Sequence, residues 1–458
     1  MQKRVRFKWK NGRVTHLWPD YPLVIAGNEI LTNVIEDIEK EIPKELVINK
    51  IATEFTLPIE EVRQYVTSVA DAIGAASRLV EETPGTNHKA TSGGGLCMAT
   101  LNLTRKCDLR CTHCYAGAGQ SMKELSSAQT RESIIKLARL IKNDPKLLIL
   151  SGGEPTIAIE KLKIAVLTAR ECGLHPRLNT NGQSINESTA HFLAENEVLT
   201  QVSLDGLDPE TNALIRGSMA AFDKTIAAIK LLQNVGCRTR ISFTVHSENI
   251  HQIPGMLSLA ESLGVEQVVT SNLVTIGNAK TSVLKSVTHK EEFRILYEAV
   301  RLSKARQKMT RSTLLGETIG AIRAGIRFTY CGTGHSTCCV DADGAVYPCI
   351  NIMRPEYHRF NVTDENFPQV FELPETWPDL RTLDVDSLNP QCARCVCRYF
   401  CGGYCRGETL SCGKSLTDPY VRCASWKRGI YAVFDILSET PDIYDLEREP
   451  LSAIMHRE

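Results

Sequence analysis

No run of about 18 apolar residues occurs anywhere in this chain, so no segment reads as a membrane-spanning helix. The opening stretch MQKRVRFKWKNGR is charged and has no apolar run behind it, which argues against a secretory signal. Net charge is also lacking: Lys plus Arg and Asp plus Glu each number 53. That balance removes the broad electrostatic case for nucleic acid or an anionic membrane as partner. Cysteine is absent from the first 80 residues, although the chain has 17. A cytoplasmic location is expected, and there thiols stay reduced rather than paired. Metal or cluster ligation is the better use for so many. Eleven of the 17 lie at or beyond Cys331, so the C-terminal region carries thiol chemistry of its own.

At 458 residues the chain exceeds one ordinary core, and its 43% hydrophobic content is that of a folded globular protein. Residues 1–80 read as a small winged-helix-like α+β domain. Val5–Trp9 and Arg13–Trp18 alternate as strands around an Asn11-Gly12 hairpin turn. Three helices follow, marked by Ile30–Ile38, by Pro43–Phe55, and by Val62, Val66, Val69 and Ile73, the last starting after Pro58. Residues 81–95 are a linker by composition. Over 96–280, short apolar strands (Met98–Leu103, Leu147–Leu150, Arg177–Asn179, Gln201–Leu204, Arg240–Val245, Gln267–Thr270) alternate with amphipathic helices near 124–142, 158–172, 184–195, 221–235 and 251–263. Such repetition builds a parallel sheet with right-handed crossovers, with function at the C-terminal strand ends. Residues 281–328 read as a charged helical connector, and 329–458 as a cysteine-rich extension.

The chain is organised around Leu101–Gly117, LNLTRKCDLRCTHCYAG, which sets Cys107, Cys111 and Cys114 in a C-x3-C-x2-C frame. A cubane iron–sulfur cluster takes four thiolates. Three on one loop therefore leave one iron open to a small chelator. A zinc site would show paired C-x2-C spacing instead. His113 inside this loop reads as an orienting or packing residue. Ser151-Gly152-Gly153-Glu154-Pro155 follows the second strand, Thr180-Asn181-Gly182 the third, and Ser203-Leu204-Asp205-Gly206 ends the fourth. Cys172 and Cys237 read as core thiols.

This loop, its strand and the GGEP stretch resemble the radical S-adenosylmethionine (SAM) superfamily. The resemblance implies a partial (βα)6 barrel and a 4Fe–4S cluster on Cys107, Cys111 and Cys114. It further implies that SAM chelates the open iron and, given an electron, yields a 5'-deoxyadenosyl radical. Gly152, Gly153 and Glu154 would hold the SAM amino group, Ser203 and Asp205 would lie near the ribose, and Arg216 would pair with the SAM carboxylate. Val274–Gly277 would lie near the adenine.

Beyond Cys331 come Gly344 and Cys349, then Cys392, Cys395, Cys401 and Cys405 as C-x2-C-x5-C-x3-C, then Cys423. This pattern resembles the SPASM extension, which implies two auxiliary 4Fe–4S clusters. Cys331, Cys349 and Cys405 would hold the first, and Cys392, Cys395, Cys401 and Cys423 the second. The first set is one thiolate short; Cys338 or Cys339 could fill it, but neighbouring strand residues point oppositely and at most one reaches. A vacancy there would admit a substrate cysteine. Cys97, Cys397 and Cys412 stand outside the pattern.

The N-terminal arrangement, with IATEFTLPIEEVRQYV late in it, is similar to the PqqD-like peptide-recognition domains that bind a leader peptide as an added strand. Together the resemblances imply a maturase for a ribosomally made precursor peptide, of sactipeptide or ranthipeptide type. It would form a thioether and draw electrons from a ferredoxin or flavodoxin. The alternatives are an anaerobic sulfatase-maturing, formylglycine-generating enzyme and a non-catalytic cluster-bearing peptide-binding protein.

Overall fold

The computed structural model describes residues 4–20, 23–82, 95–115, 117–119, 123–312, 318–324, 326–373, 375–440 and 443. The expected hairpin forms from β1 (Val5–Lys8) and β2 (Val14–Trp18), antiparallel, with Val5 opposite Leu17. A third strand, β3 (Leu23–Gly27), joins β2 on its other side. Helices α1 (Glu29–Glu39), α2 (Lys44–Glu54) and α3 (Ile59–Glu82) follow. Asn28 starts α1 by accepting from Ile30 N and Leu31 N, satisfying two of the orphan donors of its first turn. Helix α3 runs two residues into the stretch read as a linker, of which 83–94 lie outside the described residues.

Every residue of β2 is buried, because both of its faces are covered. Val14 and Trp18 pack with Leu31, Ile35, Ile48 and Val66 of the three helices. On the opposite face Leu17 joins the main core. Thr15 Oγ1 there donates to Phe434 O at 3.1 Å. The Phe7 ring lies 5.1 Å from Tyr431 and 5.6 Å from Phe434. Arg13 donates to Ser438 O, and Arg398 pairs with Asp20. The small domain is thus seated on the helix Cys423–Glu439.

The main body is built on β4 (Met98–Thr104), β5 (Leu147–Gly152), β6 (His175–Thr180), β7 (Leu199–Ser203), β8 (Thr239–Val245) and β9 (Gln267–Asn272). All six run parallel in sequential order, with α4 (Ser127–Leu140), α5 (Ile159–Glu171), α6 (Glu187–Glu195), α7 (Pro209–Arg216), α8 (Ala221–Asn234) and α9 (Ile253–Leu263) between them. Leu101, Leu103, Leu148, Leu150, Ile241 and Phe243 are buried in the core beneath those helices. The alternate residues Asn102, Thr104, Ser151 and Thr244 lie on the opposite, polar side of the strands.

Two features depart from the sequence reading. β10 (Thr310–Ser312), inside the stretch expected to be a helical connector after α10 (His289–Val300), pairs parallel with β9. β11 (Thr337–Val340), from the cysteine-rich region, pairs parallel with β4 and antiparallel with β12 (Val346–Tyr347). Among the described residues the sheet therefore has nine strands, ordered β10-β9-β8-β7-β6-β5-β4-β11-β12. Strands this short have no readable period. The exposed edges of β9 and β4 supply the unpaired groups that recruit them.

Helix α10 packs on Cys423–Glu439 and carries Glu292, which is fully buried and accepts from Asn272 Nδ2 at 3.0 Å. Burial pushes its carboxyl up to about 7, while Asn272 and Arg422 oppose the shift. Between pH 4.5 and 7 the unfolded chain gives up a proton that the folded chain retains, so stability falls across that window and the loss is complete above it. Glu292→Gln keeps the acceptor and removes the titration. Thermal unfolding should show the variant more stable than the parent at pH 8, by up to about 3 kcal/mol, with the difference closing toward pH 5.

Candidate functional site

The three cysteines of C-x3-C-x2-C sit in the loop that leaves β4, and backbone contacts fix that loop on three sides. Gly153 N donates to Thr104 O at 2.7 Å, and Glu154 N to Lys106 O at 2.8 Å. Thr112 N donates to Ile215 O at the end of α7, at 2.8 Å. Asn278 donates from its backbone N to Cys114 O at 3.0 Å and from Nδ2 to Cys111 O at 3.1 Å. Glu124 supports the start of the loop, accepting from Thr104 Oγ1 at 2.7 Å, Arg105 N at 2.9 Å and Lys161 Nζ at 2.9 Å.

Glycine is required at two of these contacts. Gly152 has φ 129, and a Cβ there would sit 2.3 Å from Thr104 O. At Gly153 a Cβ would meet Lys106 O at 2.1 Å. The two positions expected to cradle SAM therefore also let one backbone lie directly on another. Gly277 behaves alike: a Cβ there would lie 2.2 Å from Cys114 O, which puts the Val274–Gly277 stretch against the cysteine loop.

Glu154 is buried between β5 and β6. Its Oε1 accepts from Thr156 N, Thr156 Oγ1 and Thr180 Oγ1 at 3.0, 2.6 and 2.7 Å, and its Oε2 from Asn181 N at 2.7 Å. Burial raises its carboxyl and these bonds oppose the rise. Oε2, with a single protein donor, keeps one acceptor direction for an ammonium. Ser203 lies half-buried at the end of β7. Asp205 and Arg216 form a buried ion pair, and Arg216 Nη1 reaches Cys111 Sγ at 3.8 Å. His113 is half-buried under the loop, with burial of its ring and then Arg216 pulling its imidazole down to about 4.

Several site residues had no assigned role in the sequence. Asn181 Nδ2 lies 3.9 Å from Cys107 Sγ and 2.7 Å from Asp108 Oδ1. Tyr115 OH is 3.1 Å from Ser151 Oγ. The signal for Asn181 was its place directly after a strand; Tyr115 and Asn278 gave none beyond proximity in sequence.

The patterned cysteines from Cys331 onward fall into two neighbourhoods. Cys331, Cys349 and Cys405 interact electrostatically with one another, as do Cys392, Cys395, Cys401 and Cys423. Asn351 N and Nδ2 approach Cys349 Sγ and Cys405 Sγ at 3.4 and 3.5 Å, and Glu408 N approaches Cys405 Sγ at 3.3 Å. Glu408 also accepts from Thr275 N at 3.0 Å, so the 274–280 segment touches both regions. Cys338 packs in the core, whereas Cys339 lies 3.9 Å from Met353 Sδ. Cys397 is buried beside Cys395; the bond between them holds the Cys395 thiol down, at about 6. Cys97 donates to Ser336 O at 3.2 Å, Cys412 is exposed, Cys237 is in the core and Cys172 is half-buried against it.

Among the described residues no three His, Cys, Asp or Glu side chains stand close enough to hold a single ion. Gly153→Ala should push Lys106 and the loop apart. Anaerobic reconstitution of the variant should leave it short by one cluster's iron, read by iron and sulfide analysis.

Residues 101–260 match the radical SAM superfamily, and 331–396 match an iron–sulfur cluster-binding domain, SPASM. The mycofactocin maturase MftC of Mycolicibacterium smegmatis is 28% identical over 330 residues, 71% of this chain and 81% of that protein. In fold, the chain is similar to Streptococcus suis SuiB bound to precursor peptide SuiA, with TM-score 0.60, 16% identity, and coverage of 92% of this chain and 100% of that one. That match is longer than the chain from Gly95 onward, so it reaches into the N-terminal domain. The anSMEcpe enzyme with bound AdoMet and Cp18Cys peptide gives TM-score 0.60 and 20% identity over 75% of this chain and 99% of its own. The cofactors are accordingly SAM, a 4Fe–4S cluster and auxiliary iron–sulfur clusters. The chain thus carries a stretch that matches the radical SAM superfamily, followed by one that matches the iron–sulfur cluster-binding SPASM domain.

Proposed function

We propose that this enzyme matures a ribosomally synthesised precursor peptide in the cytoplasm by forming a thioether crosslink. The observation that carries the reading is the N-terminal three-stranded sheet: β3 is its outer strand, and among the described residues no other strand pairs with its far edge. A PqqD-like domain offers such an edge to a leader peptide, whose backbone supplies affinity while side-chain pockets supply choice. The MftC and SuiB similarities support a peptide maturase.

In this reading Cys107, Cys111 and Cys114 hold the radical SAM cluster, and Gly152, Gly153, Glu154, Ser203, Asp205 and Arg216 line the SAM site. Cys331, Cys349 and Cys405 hold one auxiliary cluster, its fourth position left to Cys338, Cys339 or a substrate cysteine; Cys392, Cys395, Cys401 and Cys423 hold the other. The cofactors supply hydrogen abstraction and an electron acceptor. On the peptide, a C–H and an S–H bond are exchanged for one C–S bond. One hydrogen leaves as an atom to the SAM fragment and one as a proton, with one electron passed to an auxiliary centre. A ferredoxin or flavodoxin supplies the electron for SAM cleavage.

Formylglycine formation would need a protein base, and the buried carboxylates near the thiols are engaged. Asp205 is tied to Arg216; Asp341 to Arg105 and Asn102; Glu408 to Thr275 N, Tyr420 and Arg422. The test is anaerobic reconstitution of the full chain with SAM and the cysteine-containing peptide encoded beside its gene. A loss of two hydrogens per crosslink by mass, with amide exchange at Leu23–Gly27 slowed by the peptide, is the expected outcome. An unmodified peptide beside released 5'-deoxyadenosine, with no protection of β3, would reject it.

A further inference from the structure

Each of the three thiols in the C-x3-C-x2-C loop faces an N–H donor from another part of the chain or of the loop, and Cys107 also faces the Leu109 N–H. Ala118 N lies 3.5 Å from Cys114 Sγ, Asn181 Nδ2 3.9 Å from Cys107 Sγ and Arg216 Nη1 3.8 Å from Cys111 Sγ. Only the last donor carries a full charge. It is also the most heavily fixed: Arg216 is 8% exposed and Asp205, its partner, is 0% exposed. Asp205 Oδ1 accepts from Thr244 N at 2.7 Å, its N donates to Asn212 Oδ1 at 2.9 Å, and its carbonyl accepts from Asn249 Nδ2 at 2.9 Å. Residues of α7 and of the chain after β7 and β8 are thus spent on holding one guanidinium against one sulfur.

Hydrogen bonds to cluster sulfurs and local charge set the reduction potential of an iron–sulfur centre, since both stabilise the more electron-rich state. A buried cation does so more strongly than a neutral amide, because little water screens it. Nη1 is engaged by Cys111 and Nη2 by Asp205, while the buried Nε has no hydrogen-bond partner among the described residues and remains available to a ligand.

We propose that Arg216, positioned by Asp205, raises the reduction potential of the cluster through Cys111, with Asn181 as a weaker, neutral counterpart at Cys107. The inference rests on Cys107, Cys111 and Cys114 being the cluster ligands. It makes reduction of this centre intrinsically easier, independent of SAM.

The test is a redox titration of the anaerobically reconstituted full chain without SAM, monitored by electron paramagnetic resonance. The centre is recognised by the signal that changes on adding SAM. Arg216→Gln should be harder to reduce by about tenfold in the one-electron equilibrium, equivalent to about 59 mV, and Arg216→Lys should recover part of that loss. Asn181→Leu leaves the buried ion pair intact and should shift the midpoint in the same direction by about threefold. Should Arg216→Gln fail to load iron, Asn181→Leu decides alone. Midpoints unmoved in the loaded variants, or moved only after SAM is added, would overturn the proposal. Failure of the ligand assignment looks different: the SAM-responsive signal would then survive in Cys111→Ala.

Discussion

Backbone lying on backbone is the constraint from which the site is built. Gly153 N and Glu154 N donate to the carbonyls of Thr104 and Lys106, so the end of β5 grips the start of the cysteine loop without any side chain between them. Everything else about the loop follows from that registration. Once its first residues are pinned, α7 and the 274–280 segment can meet its middle and end, and the three thiols are held on one surface before any metal arrives. A loop left to itself would have to be ordered by the cluster at the cost of its conformational entropy.

Burial also decides the protonation state in which the thiols wait. Cys107 and Cys405 are pushed up to about 11, and Cys349 to about 12, in each case first by desolvation. They are neutral until metal takes them, so cluster assembly releases protons. Cys395 is shifted the other way, lowered first by its neighbour Cys397.

The legible and illegible parts of this chain divide along a physical line. Parallel β–α repetition has a strong period, and the six strands and five expected helices between 98 and 272 appear within a few residues of their positions in the sequence. Cysteine spacing is equally plain, because ligation imposes chain geometry directly. Helix α7 was missed: at eight residues with caps at Asp208 and Gly217 it is short, and its sequence PETNALIR shows little apolar stripe. β3, β10 and the pairing of β11 with β4 are illegible for another reason. Their pairing is decided by partners far away in sequence, and propensity yields to such contacts. The role of Asn181 is masked because an asparagine after a strand reads first as a turn residue, and Asn278, beyond the end of β9 at Asn272, belongs to no motif.

The helix Cys423–Glu439 has a metrical consequence. It begins at a thiol of the second auxiliary set and carries the N-terminal sheet on Tyr431, Phe434 and Ser438. At 1.5 Å per residue, the sheet is held about 12–24 Å along a rigid rod from that thiol. A polypeptide leaving the sheet would have to spend roughly four to seven extended residues to travel the same length. The fold thus contains a ruler, and its graduation is one helical residue.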